Sequence, residues 1–79
     1  MTYLEQRAFL SKLTMQVKYG EMSHKTTYQG AFDLLECLLN KAGVIRDAQG
    51  AVLRAFEEKC LSDNWHFPFE AGVITISKA

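Results

Sequence analysis

Hydrophobic residues near the start of the chain recur at helical spacing. Thr2 and Glu5 form a capping-box pattern, in which a hydroxyl and a carboxylate each accept a hydrogen bond from a free backbone N–H group. Apolar residues then follow at intervals of four: Phe9, Leu13 and Val17. The pattern therefore predicts a first helix that runs from Tyr3 to Tyr19 and ends at Gly20.

The second half of this predicted helix also has the alternation of a half-buried strand. Its apolar members, separated by single polar residues, are Leu13, Met15, Val17 and Tyr19. We favour the helix, because a strand would need a break near Ser11 that neither glycine nor proline marks. In the alternative, residues 13–19 form a strand that pairs with residues 73–77, and the fold becomes α+β.

Two further helices are predicted in the middle of the chain. After a polar connection at residues 21–25, Thr26 begins a second capping-box pattern and a broad apolar stripe, which predict a helix over Thr27–Ala42. Asp47 is a suitable N-cap for a third helix over Ala48–Ser62. The inward side of this third helix is expected to carry Val52, Leu53, Phe56 and Cys60.

The C-terminal segment has a different character. An aromatic cluster at residues 65–69 surrounds the only proline, and the β-branched run at residues 73–77 is typical of a strand. A strand with no partner in its own chain must pair with another chain, be covered, or lie as an extended arm. We therefore predict a single mainly α domain over residues 1–79, a compact three-helix domain with a C-terminal extended arm or short β-strand.

Composition and charge narrow the possible partners. Nine Lys and Arg balance nine Asp and Glu, so no net positive field attracts nucleic acid or anionic lipid. The chain has neither the ~20 consecutive apolar residues of a membrane span nor the apolar run of a secretory signal. We expect a cytoplasmic protein without a membrane partner, in which the cysteines remain thiols.

Few residues offer catalytic or metal-binding chemistry. His24, Cys37, Cys60 and His66 have the side chains of zinc ligands, but no pair has the close spacing of a zinc site. Neither a nucleophile elbow nor a glycine-rich phosphate loop is present. Cys60 is expected to pack in the core, and Cys37 to be an exposed thiol or to contact a partner. We predict no catalytic residue, no cofactor and no metal, and a cysteine-dependent enzyme is the third hypothesis.

The leading functional hypothesis is a small non-enzymatic protein–protein interaction module, such as a regulator, adaptor or inhibitor. Its partner is expected to be another protein or a second copy, as a homodimer, because a small core and an unpaired strand both favour association. The expected contact residues are Trp65, Phe67, Phe69, Val73, Ile74 and Ile76. The aromatic cluster could instead cap the open end of the helical core.

The second hypothesis is a DNA-associated transcriptional regulator. It would use the second helix, the turn at Gly43 and the third helix as a helix-turn-helix unit, together with a basic N-terminal half. The cations of that half are Arg7, Lys12, Lys18 and Lys25. The turn is longer than is usual, and the third helix begins with Asp47 and carries Glu57 and Glu58, and these features argue against nucleic acid as the partner.

Overall fold

Three helices and four strands make up the part of the chain that the structure describes. The structure, a computed structural model, describes the backbone of residues 1–62, 66–69 and 74–78 and the side chains of residues 1–62 and 75–77. The elements are, in chain order, α1 (Tyr3–Ser11), β1 (Thr14–Tyr19), β2 (Met22–Thr27), α2 (Tyr28–Lys41), α3 (Arg46–Cys60), β3 (His66–Phe69) and β4 (Ile74–Lys78).

Helix α1 begins as the sequence predicts but ends early. The capping box is confirmed: the hydroxyl of Thr2 accepts from the backbone N–H of Glu5 at 3.2 Å, and the Glu5 carboxylate accepts from the N–H of Thr2 at 3.3 Å. The helix ends at Ser11, and residues 14–19 form β1. The predicted helix over Tyr3–Tyr19 is therefore wrong in its second half, where the alternation of apolar residues reports a strand.

Strands β1 and β2 form a hairpin around a two-residue turn. Tyr19 pairs with Met22, which leaves Gly20 and Glu21 as the turn residues. Gly20 has a φ of 60°, in the left-handed region that such turns need at their first position and that glycine adopts without strain. The predictions that Gly20 ends a helix and that residues 21–25 are a polar connection are therefore both wrong.

The strands form one antiparallel sheet in the order β2-β1-β4-β3. Strand β4 lies between β1 and β3, and its pairing with β1 runs from Met15–Lys78 to Tyr19–Ile74. The predicted mainly α three-helix domain with a C-terminal arm is thus wrong, because the arm is a central strand of an α+β fold. The alternative pairing of residues 13–19 with 73–77 describes the observed β1–β4 ladder closely.

The helices cover one face of the sheet. Met15 and Val17 of β1 and Ile76 of β4 point toward them and are fully buried. The helices add the remaining buried core residues: Leu10, Tyr28, Ala31, Leu35, Leu38, Leu39, Phe56 and Cys60. The described residues therefore share one core, and the opposite, outer face of the sheet is polar, as expected for an antiparallel sheet with helices on one side.

The second and third helices were predicted well. Thr27, one residue later than expected, caps α2 by accepting a hydrogen bond from Gly30 N–H at 3.1 Å. After α2, Gly43 has a φ of 74° and Val44 N–H donates to the Leu39 carbonyl at 3.1 Å, so a left-handed glycine ends this helix. Helix α3 begins at Arg46 with Ile45 as N-cap, so Asp47 is a first-turn residue rather than the predicted cap.

Candidate interaction edge

The predicted contact residues lie within the sheet or outside the described residues. Ile76 is fully buried and pairs with both Val17 and Phe67, so it belongs to the core rather than to an external surface. Phe69 pairs with Ile74, and for these two residues and Phe67 the structure describes the backbone only. The other two predicted contacts, Trp65 and Val73, lie outside the described residues. The strand that the sequence predicted to be unpaired, β4, has a partner strand on each side.

The sheet has two edges, β2 and β3, and they differ in what they offer another strand. The pair that closes a two-residue hairpin exchanges both backbone hydrogen bonds, and such pairs alternate along a ladder. When this alternation is followed from the Tyr19–Met22 pair through β1 and β4 to β3, the backbone nitrogen and carbonyl of Pro68 point away from β4, toward the open edge. Proline has no N–H group, so the β3 edge lacks a donor where a further strand would bind.

The same alternation places complete backbone groups on the β2 edge. Met22, His24 and Thr26 hydrogen-bond to β1, whereas Ser23 and Lys25 point their N–H and C=O groups outward. No residue of β2 is buried: Thr26 is half-buried, and the other five are exposed. The helices cover the middle of β1 but not the matching part of β2, since Val17 is buried and its partner His24 is exposed.

An apolar pair lies at the tip of the hairpin. Tyr19 and Met22 are direct cross-strand partners, and their exposed fractions are 42% and 68%. Both side chains are on the face of the sheet against which the helices pack. They lie closer to the turn than the buried residues of β1. We call the free edge of β2 together with this pair the β2 edge.

The outer face beside the β2 edge is positively charged. Lys18 pairs with Ser23 and Gln16 pairs with Lys25, so the two lysines are diagonal neighbours on one face. The Gln16 amide donates to the Ser23 hydroxyl. No aspartate or glutamate occupies an outer-face position of the described strands. Glu21, in the turn, is the nearest carboxylate along β2.

The structure separates the two parts of the DNA hypothesis. Lys18 and Lys25 face away from the helices, whereas α2 and α3 lie on the other side of the sheet. Arg7 is paired with Glu57 of α3, and its guanidinium carbon also lies 5.4 Å from the centre of the Tyr3 ring. A helix-turn-helix unit and the lysines of the hairpin therefore cannot form one continuous contact surface.

The candidate catalytic and metal-binding residues are dispersed. Cys60 is fully buried, and this burial raises the pKa of its thiol to about 12, which keeps it protonated and unreactive. Cys37 is exposed. His24 and His66 lie on opposite edge strands of the sheet. Among the described residues, no group of three or more His, Cys, Asp or Glu is placed to hold a metal ion.

Two buried polar side-chain atoms, which belong to Tyr28 and Arg7, lie in the core beside α1. The ring of Tyr28 stacks on Phe56, with 5.6 Å between ring centres. The Tyr28 hydroxyl and Arg7 Nε are buried, and neither meets hydrogen-bond geometry with another described residue. Burial raises the pKa of Tyr28, and the nearby Arg7 guanidinium partly offsets that rise. The Tyr28 hydroxyl is therefore a buried polar atom beside the Arg7 guanidinium.

Two surface grooves are present among the described residues, and neither contains a histidine or a cysteine. A groove of about 530 Å³ between α2 and α3 is lined by Glu36, Asn40, Arg46, Gln49, Gly50 and Leu53. The side-chain amide of Gln49 donates a hydrogen bond to the side-chain oxygen of Asn40 at 2.8 Å, and the two residues form part of the wall of this groove. A second groove of about 210 Å³ lies between α1 and the start of α2. Neither groove brings a nucleophile together with a general base.

Comparison of the chain with protein-family models, with curated proteins and with solved structures finds no match. Within the described part of the chain, none of the helices combines the length and apolarity needed to cross a lipid bilayer. The geometry of the β2 edge therefore has to support a functional proposal without help from a relative.

Proposed function

We propose that this protein is a non-enzymatic protein–protein interaction module that binds an extended protein segment along the β2 edge. The observation that carries the proposal is that β2 buries none of its residues and leaves the backbone groups of Ser23 and Lys25 unpaired by the sheet. Strand addition is a common way for proteins to bind peptides, because the ladder supplies affinity and the alternate side chains supply specificity. Pro68 disfavours the same use of the opposite edge.

The backbone alone would bind weakly. The N–H and C=O groups of Ser23 and Lys25 can make four hydrogen bonds, each contributing ~0.5–1.5 kcal/mol net. Association itself costs ~4–15 kcal/mol in lost freedom of motion. Burial of Met22, which contributes ~1.5–3 kcal/mol for a side chain of this size, is therefore needed for stable binding. We expect a partner with an apolar residue that packs on Tyr19 and Met22.

The test is selection of short extended peptides from a displayed random library, followed by mapping of the bound peptide through backbone chemical shifts. We expect the shifts to concentrate on β2. The Ser23→Pro variant should lose binding, because it removes an outward N–H group without removing a hydrogen bond to β1. Ser23→Ala is the matched control and should bind normally. Peptides that bind elsewhere, or that bind Ser23→Pro equally well, would count against the proposal.

A second candidate, nucleic-acid binding, is favoured by Lys18 and Lys25 on an outer face without carboxylates. In this form the nucleic acid contacts the hairpin rather than the predicted helix-turn-helix unit. A mobility shift at low ionic strength that weakens steeply with added salt would support it. The outer face carries no Phe, Tyr or Trp in the described strands, so we expect no base stacking and no sequence preference.

A further inference from the structure

We propose that the segment bound at the β2 edge is β2 of a second copy, running antiparallel, with the His24 residues of the two copies facing each other on the twofold axis. This inference rests on the proposed function and names its partner. The dimer would join the two four-stranded sheets into one continuous sheet. The hairpin strand that is exposed on both faces in the monomer would then be paired along both edges.

Symmetry leaves few possible registers. In a twofold antiparallel pair, one residue faces its own copy at the axis, and outward-pointing residues must oppose one another. A pairing centred on Lys25 would place lysine opposite lysine, which is destabilising. A pairing centred on Ser23 would make one pair of ladder bonds from β2 and would depend on the turn residue Glu21 for the rest.

The register centred on His24 has neither defect. Ser23 of each copy lies opposite Lys25 of the other, so the outward N–H and C=O groups of both residues are used. The five residues from Met22 to Thr26 overlap fully, and all are strand residues. Their pairs are related by symmetry, as an isologous interface requires.

The side chains also match in this register. Met22 of one copy lies opposite Thr26 of the other on the inner face, so the γ-methyl group of Thr26 is the apolar group that packs on the exposed methionine. On the outer face, Lys25 is opposite the small Ser23, and its two diagonal positions are Glu21 and Lys25 of the second copy. Diagonal neighbours are ~7–8 Å apart, so the flexible Lys25 side chain can turn toward the Glu21 carboxylate and away from the other lysine. The backbone groups of the edge are thus self-complementary, and no like charges are directly opposed.

Cysteine cross-linking tests the register directly. In a Cys37→Ser background, which removes the exposed native thiol, the His24→Cys variant should form a disulfide-linked dimer rapidly on mild oxidation. Directly opposed residues of this kind have Cα atoms ~4.5 Å apart, within the range that a disulfide can bridge. The buried Cys60 should not interfere.

Ser23→Cys and Lys25→Cys, each in the same background, are the matched controls. We expect both to cross-link at least ~10-fold more slowly. The thiol at position 23 would lie opposite Lys25 of the second copy, and the thiol at position 25 would lie opposite Ser23, so neither would directly face a second thiol. Faster cross-linking of Ser23→Cys or Lys25→Cys would overturn the register. Equal, slow cross-linking of all three variants would overturn self-pairing.

Sedimentation of the native chain from micromolar to millimolar concentration provides a second measurement. We expect a monomer–dimer equilibrium that the Lys25→Glu change weakens about fivefold, since a carboxylate would then approach Glu21 of the second copy. Lys18→Glu, on β1, should leave the equilibrium unchanged. A native chain that stays monomeric throughout would overturn self-pairing, whereas the proposed function would fail only if selected peptides also avoided β2.

Discussion

Two glycines in helices should respond in opposite ways to substitution by alanine. At Gly50, in α3, an added Cβ would meet no atom within 4 Å, so Gly50→Ala should gain the helix preference of alanine, ~0.5–1 kcal/mol. At Gly30, in the first turn of α2, the same Cβ would lie 2.2 Å from Thr26 Oγ1. Such overpacking costs ~1–3 kcal/mol, which exceeds the gain.

We therefore expect Gly50→Ala to raise the free energy of unfolding and Gly30→Ala to lower it by about 1 kcal/mol. Urea unfolding followed by circular dichroism measures both free energies. In thermal unfolding, each 1 kcal/mol corresponds to a shift of ~4–8 °C in the midpoint temperature. In a Thr26→Ala background the obstruction is gone, so Gly30→Ala should become stabilising. The packing assigned to the β2–α2 junction would be refuted if Gly30→Ala stabilised the native background as much as Gly50→Ala does.

Three further changes test other parts of the structure. Thr2→Ala removes the capping box of α1 and should lower the free energy of unfolding by ~1 kcal/mol in urea titrations, with Thr2→Ser nearly neutral. Burial holds the pKa of Cys60 at about 12 in the folded chain, so its contribution to stability is complete below the pKa of the unfolded thiol and is lost as the pH rises toward 12. The loss approaches ~1.4 kcal/mol per pH unit, and unfolding titrations above pH ~9 should show it for the native chain and less of it for Cys60→Ala. Tyr28→Phe removes a buried hydroxyl that does not meet hydrogen-bond geometry with another described residue but lies beside the Arg7 guanidinium, so the two effects oppose each other and we expect the free energy of unfolding to change by less than ~1 kcal/mol in urea unfolding.

The helices with broad apolar stripes could be predicted from the sequence, whereas the hairpin was missed. Helices α2 and α3 were located to within two residues because their packing follows a local period. The end of α1 was misjudged because residues 14–19 fit both periods, and the deciding contacts are with residues 74–78, far along the chain. Strand β2 was missed for another reason. Both of its faces are exposed, so it carries no alternation of apolar and polar residues.

The sequence predicted a site on an open strand edge, but it placed that edge on the wrong strand. An unpaired strand edge was expected at residues 73–77, whereas β4 is central and the free edge belongs to β2. Two signals could have pointed there. Gly20-Glu21 is a suitable two-residue hairpin turn, and Pro68 identifies residues 66–69 as an edge strand. The uncovered inner face of β2 could not have been foreseen, because it depends on how far α2 reaches across the sheet.

The central position of β4 also has a consequence for synthesis of the chain. Until residues 74–78 leave the ribosome, β1 is open along one side and the site that Ile76 fills in the core is vacant. The N-terminal hairpin therefore waits for most of translation with two strand edges exposed, β1 and β2. We expect a chain arrested before residue 74 to be non-native and prone to pairing with whatever strand it meets. The completion of the core by Ile76 and the pairing of β1 with β4 can therefore occur only after residues 74–78 have been translated.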